Sequence, residues 1–161
     1  EMKDLSAELI ELKELPDYLL NDPEIVGYPD EEMQNQIYEW VFMQMEPPAS
    51  IKDLGCGRGD FFGHISRTDF LRYIDKYHYF GIDSNPNLIN VGRQKYPGIN
   101  LINDDFLNVN EQTDYTICIG TLNENHGFDK WEFFNTTLNC LHDSINKLFL
   151  FLAPPKTINR R

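Results

Sequence analysis

The segment Ile51-Lys52-Asp53-Leu54-Gly55-Cys56-Gly57-Arg58-Gly59-Asp60 constrains this chain more than any other. It reads as a buried strand that runs into a glycine turn and then into a helix, the layout of a cofactor-binding loop. Glycines at positions 55, 57 and 59 let the backbone approach a ligand closely and adopt angles that a side chain forbids. The helix that follows offers unpaired N–H groups. A dinucleotide fingerprint, G-x-G-x-x-G, rests its pyrophosphate on that helix start, but here the third glycine comes one position early and position 60 is Asp. A carboxylate at the helix mouth repels a diphosphate, whereas Asp53 and Asp60 together suit a ligand that carries positive charge and no phosphate.

Downstream segments extend the pattern. Tyr79-Phe80-Gly81-Ile82-Asp83 predicts a second strand that ends in a carboxylate. It lies roughly two dozen positions past the glycine turn, where doubly wound folds place the acceptor for ribose hydroxyls. Asn100-Leu101-Ile102-Asn103 predicts a short third strand, and Asp104-Asp105-Phe106 then supplies an acceptor for an exocyclic amine with an aromatic beside it, which suits adenine. Asp114-Tyr115-Thr116-Ile117-Cys118-Ile119-Gly120 predicts a fourth strand ending in glycine at the same sheet edge. Four strand ends converge on one ligand, and S-adenosylmethionine is cationic, adenine-bearing and free of phosphate.

On these residues the chain resembles the class I S-adenosylmethionine-dependent methyltransferases over roughly residues 28 to 153. Asp53-Leu54-Gly55-Cys56-Gly57-Arg58-Gly59 resembles the family's first motif, Gly81-Ile82-Asp83 its second, Asn103-Asp104-Asp105-Phe106 its adenine motif, and Thr116-Ile117-Cys118-Ile119-Gly120 its fourth. The resemblance implies that the backbone at Gly55, Cys56 and Gly57 holds the methionine end, with Asp53 also among the cofactor-binding residues. It implies that Asp83 receives the ribose and that Asp105 accepts from the adenine amine with Phe106 alongside, and Ser84 and Gly120 count with them as cofactor-binding residues. Gly27-Tyr28 with Gln34, the Gly57-Arg58-Gly59-Asp60 turn and Gly120-Thr121-Leu122-Asn123 resemble a bacterial and phage subgroup, which names no acceptor.

Elsewhere the sequence predicts an α/β fold: a Rossmann-like, doubly wound, mostly parallel sheet flanked by helices. A helix over roughly Leu5 to Leu20 places Leu5, Leu9, Leu12 and Leu15 near one face. A second starts after Pro29 with Asp30, Glu31 and Glu32 favoured by the helix dipole, carries Met33, Ile37, Trp40 and Val41 at helical spacing, and stops at Pro47-Pro48. Helices over Asp60 to Ser66, with Phe61, Phe62 and Ile65 buried, and over Asn87 to Lys95 after Pro86 follow the first two strands. Trp131, Phe134, Leu138 and Leu141 mark a further helix, and Lys147-Leu148-Phe149-Leu150-Phe151-Leu152 a strand buried on both faces. Residues 1–46 form an N-terminal helical cap, packing helices for the most part, and residues 47–161 the S-adenosylmethionine-binding core. The resemblance implies a sheet that continues past the fifth strand through a helix and two more strands. The sequence carries only Ala153 to Arg161 there and begins without Met, so a C-terminally incomplete chain is expected.

Composition limits the partners. A net charge of −12 argues against a surface that tracks a phosphate backbone. Three cysteines, Cys56, Cys118 and Cys140, fit a reducing, cytoplasmic setting, no Cys/His set has zinc spacing, and no apolar run reaches a membrane span. The base-methylating signature, Asn or Asp-Pro-Pro-aromatic, is replaced after the fourth strand by Gly120-Thr121-Leu122-Asn123-Glu124-Asn125-His126. The expected acceptor is a small molecule or a protein side chain, with nucleic acid disfavoured. His126 and Glu124 are the candidates for a general base by position. Two other readings stand beside this one: a cofactor-binding module without turnover, and a nucleotide-cofactor oxidoreductase, which Asp60 and the early third glycine oppose.

Overall fold

A computed structural model describes residues 21–26, 28, 30–67, 77–119, 130–142, 146 and 148–151. Five parallel strands form one sheet: β1 (Ala49–Leu54), β2 (Tyr77–Asp83), β3 (Leu101–Asn103), β4 (Tyr115–Ile119) and β5 (Leu148–Phe151), in the order β3-β2-β1-β4-β5. The chain works outward from β1 to β2 and β3, then crosses to the other side of β1 for β4 and β5. Register brings the strand ends to one edge, with Leu54 opposite Ile82 and Asp83 opposite Asn103.

Alternation along each strand sends side chains to two faces. On one face Ala49, Ile51, Tyr79, Leu101, Tyr115 and Ile117 share a core with helices α1 (Glu31–Met43), α2 (Asp60–Arg67) and α3 (Pro86–Lys95). On the other, Leu54, Phe80, Ile82 and Cys118 pack with Phe106 of a 3-10 turn, Phe106–Asn108, and helix α4 (Lys130–Leu141) contacts that turn. Lys52 points to this second face and is fully buried. Its Nζ donates to the backbone carbonyl of Glu111 at 2.8 Å, and burial lowers its pKa, with the charge of Glu111 working against that.

Helix starts follow capping rules. Asp30 caps α1 by accepting the N–H of Met33 at 2.8 Å, and Asn85 caps α3 by accepting from Asn87 at 3.0 Å, with Pro86 in the first turn. The face that α1 buries differs from the predicted stripe. Gln34, Tyr38, Val41 and Phe42 turn inward, Met33 and Ile37 are half-buried, and Trp40 is 51% exposed. Two polar residues fill that face because they find buried partners: Gln34 Nε2 donates to Tyr38 at 3.3 Å and to Asp60 at 3.4 Å. The predicted helix over Leu5 to Leu20 lies outside the described residues. Among the described residues no helix is long and apolar enough to cross a membrane.

Candidate functional site

Beyond Leu54 the chain turns through Gly55, Gly57 and Gly59 with φ of 67°, 59° and 82°. These left-handed angles strain any residue with a Cβ, so the turn requires glycine at each. It is pinned to β2. The N–H groups of Gly55 and Cys56 donate to the Ile82 carbonyl at 2.8 and 3.0 Å, and the N–H of Gly57 donates to Asp83 Oδ2 at 2.8 Å. Helix α3 backs the turn closely: a Cβ on Gly92 would stand 2.4 Å from the Arg58 carbonyl oxygen.

Asp83, half-buried at the end of β2, also accepts the N–H of Asn85 on Oδ1 at 2.8 Å. Burial raises its carboxyl above the usual range, while the N–H groups of Asn85 and Gly57 pull it back. Each carboxylate oxygen can accept two bonds, so acceptor capacity remains for a ligand. Ser84 beside it is exposed.

Asp53 lies at the same edge, buried, and accepts the Tyr79 hydroxyl on Oδ2 at 2.7 Å. Burial pushes its carboxyl up to about 7; the Tyr79 hydrogen bond works against this, and the charges of Asp83 and Asp60 add to it. Burial also pushes the Cys56 thiol well up, with Asp53 and Asp83 contributing. Cys56 therefore stays a thiol rather than a ready nucleophile, and its backbone is engaged within the turn, its N–H by the Ile82 carbonyl and its own carbonyl by the N–H of Gly59 at 3.0 Å.

Asp105 is exposed and opens its 3-10 turn by accepting the N–H of Leu107 at 2.9 Å. Phe106 is buried against Leu54, Phe80, Ile82 and Cys118, beneath the strand ends. Gly120, Glu124 and His126 lie outside the described residues.

One expectation is corrected. Asp60 does not face a ligand at the helix mouth. Its carboxylate is buried and takes Arg58 Nε at 2.8 Å, Lys95 Nζ at 3.1 Å and the Tyr96 hydroxyl at 2.6 Å. Burial alone would raise its pKa, but Arg58, Lys95 and the bond from Tyr96 outweigh that and hold it below the usual range. Arg58, only 1% exposed, also donates to the Asp22 carbonyl at 2.8 Å. Sequence reasoning missed Tyr79, Lys95 and Tyr96 as partners of these acids. Their side chains meet Asp53 and Asp60 only through strand register and helix packing.

Among the described residues, the stretches 53–59, 83–85 and 103–105 at this edge hold the carboxylates of Asp53, Asp83, Asp104 and Asp105 and a single cation, Arg58. With Arg58 turned inward, the described part of this edge presents carboxylates and no free cation of these stretches.

In sequence, no family model and no curated protein matches the chain. Solved structures match in fold. A magnesium protoporphyrin IX methyltransferase from Synechocystis, with SAM (S-adenosylmethionine) bound, superposes at TM-score 0.59 and 16% identity, covering 88% of this chain and 65% of that one. An amino pentose methyltransferase from Micromonospora echinaspora, also SAM-bound, gives TM-score 0.57 and 16% identity over 80% of this chain and 52% of the other. Coclaurine N-methyltransferase, bound to N-methylheliamine and SAH (S-adenosylhomocysteine), gives 0.56 and 16% over 91% and 46%. The chain shares the Rossmann-like fold of these methyltransferases. It spans about half to two thirds of the length of these three proteins. In this sheet the strand order reverses between β1 and β4. Open α/β sheets bind ligands outside the carboxyl ends of the strands at such a reversal, and the glycine turn, Asp53 and Asp83 stand there.

Proposed function

We propose that the chain is an S-adenosylmethionine-dependent methyltransferase acting on a small molecule or a protein side chain. The observation that carries this reading is the acidic edge at the strand reversal, where Asp83 grips the glycine turn through Gly57 at 2.8 Å. The residues fit the cofactor. Asp83 accepts from its ribose hydroxyls with Ser84 alongside, Asp53 faces its cationic amino acid end, and Asp105 accepts from its adenine amine. The turn at Gly55, Cys56 and Gly57 lies beside its methionine end, and Gly120 is a further candidate contact. When bound, S-adenosylmethionine supplies an electrophilic methyl group on a sulfonium sulfur. The protein's own part is to align the acceptor with that group and keep water out.

A small-molecule acceptor is supported by the neighbours, whose names carry an amino pentose, magnesium protoporphyrin IX and coclaurine. A net charge of −12 slows the approach of a polyanion and weakens its binding. Where the acceptor needs a base, Glu124 and His126 are the residues to replace first.

The test is a mass-spectrometric screen with methyl-labelled cofactor against small-molecule, protein and nucleic-acid pools. Label in a small molecule or a protein supports the reading, and label confined to nucleic acid overturns the acceptor assignment. Saturable cofactor binding with no label in any pool replaces the enzyme by a binding module.

A further inference from the structure

The Asp53 carboxylate is held from below by a residue two positions before the strand glycine. Ile51 pairs with Tyr79 and Asp53 with Gly81, so Tyr79 and Asp53 share a sheet face with Gly81 between them. A Cβ on Gly81 would stand 2.8 Å from the Tyr79 hydroxyl and 2.6 Å from Cys56 Sγ. The bare glycine is what opens the diagonal path to Asp53. The Tyr79 ring is fixed by Phe62, at 5.4 Å between centroids.

We propose that Tyr79 is a positioning residue of the cofactor site: its hydroxyl aims the Asp53 carboxylate at the cationic end of the ligand and couples binding to that carboxylate's proton. This rests on the cofactor reading of the site. Burial raises the Tyr79 phenol far above its usual range, with Asp53 adding to that, so it is the donor in the pair. The groups facing Asp53 are Cys56 of the turn, Asp83 of β2, Asp60 at the start of α2 with its Arg58 and Lys95, and Tyr38 of α1 with Tyr28 before it. The charges of Asp83 and Asp60 favour the protonated acid, whereas the bond from Tyr79 favours the carboxylate.

The experiment is calorimetric titration with S-adenosylhomocysteine across pH 5.5 to 8.5, roughly spanning the Asp53 transition. In the wild type, affinity rises about tenfold per pH unit up to a step and is flat above it. Tyr79→Phe moves the step to higher pH by about one unit or more. Site-specific 3-fluorotyrosine at position 79, a more acidic donor of nearly the same shape, moves it to lower pH, and decides the matter if Tyr79→Phe does not fold. Asp53→Asn removes the step. A Tyr79 that merely fills space lowers affinity equally at every pH, and a step unmoved by fluorotyrosine overturns the proposal. A wild type that binds with a flat profile overturns this proposal alone; a wild type that does not bind at any pH overturns the cofactor reading with it.

Discussion

Asp83 Oδ2 accepts the backbone N–H of Gly57 at 2.8 Å, so the end of β2 fixes the turn that follows β1. One carboxylate thereby shapes the loop and remains able to accept from a ligand. Asp83→Ala removes both functions. Hydrogen bonds to a charged group contribute on the order of 1.5 to 3 kcal/mol, so S-adenosylhomocysteine affinity is expected to fall at least about tenfold. Calorimetry on the folded variant checks this, and unchanged affinity contradicts the ribose assignment.

Asp60→Asn strips the buried Arg58 of its counter-charge. Breaking one side of a buried pair costs about 3 to 5 kcal/mol, and denaturant unfolding at neutral pH measures the loss. The pH dependence changes as well. A carboxyl held below its ordinary 3.8 contributes stability above that value and loses it as pH falls through the folded value. Acid unfolding of the variant therefore lacks this component.

Gly92→Ala tests the packing of α3 on the glycine turn. In an open helix interior the change stabilises by up to about 1 kcal/mol. Here the new methyl meets the Arg58 carbonyl at 2.4 Å, a backbone atom that cannot swing aside. Overpacking of this kind costs about 1 to 3 kcal/mol, so the net sign is destabilising, and cofactor affinity falls as the turn shifts. A raised melting temperature contradicts the packing described.

The raised pKa of Asp53 has the opposite consequence for stability from that of Asp60. A carboxyl that moves from 3.8 to about 7 on folding binds its proton more tightly in the native state. The ligand-free protein therefore loses stability as pH rises from about 4 to about 7, by an amount on the order of 4 kcal/mol. Asp53→Asn does not titrate, so its stability advantage over the wild type grows through that window and is flat above it. Urea unfolding of both proteins at several pH values measures the difference.

The order of strands and helices was legible because it rests on local signals: the apolar runs at Ile51, Tyr79 and Tyr115, the glycines at 55 and 57, and Pro86 opening its helix. The strand-end carboxylates at 53, 83 and 105 follow from that order. What was not legible depends on non-local packing. Trp40 resembles a core residue by spacing, yet Gln34 and Tyr38 take the inner face because Asp60 waits there. Asp60 looks like a ligand group in one dimension and becomes an internal anchor once α3 delivers Lys95 and Tyr96. Tyr79 finds Asp53 only through the register of two strands 26 positions apart.

The most direct measurement is a titration of the wild-type protein with S-adenosylhomocysteine and, in parallel, with NADH. Saturable one-to-one binding of S-adenosylhomocysteine and none of NADH is the predicted result. Saturable binding of NADH with no response to S-adenosylhomocysteine would contradict the account.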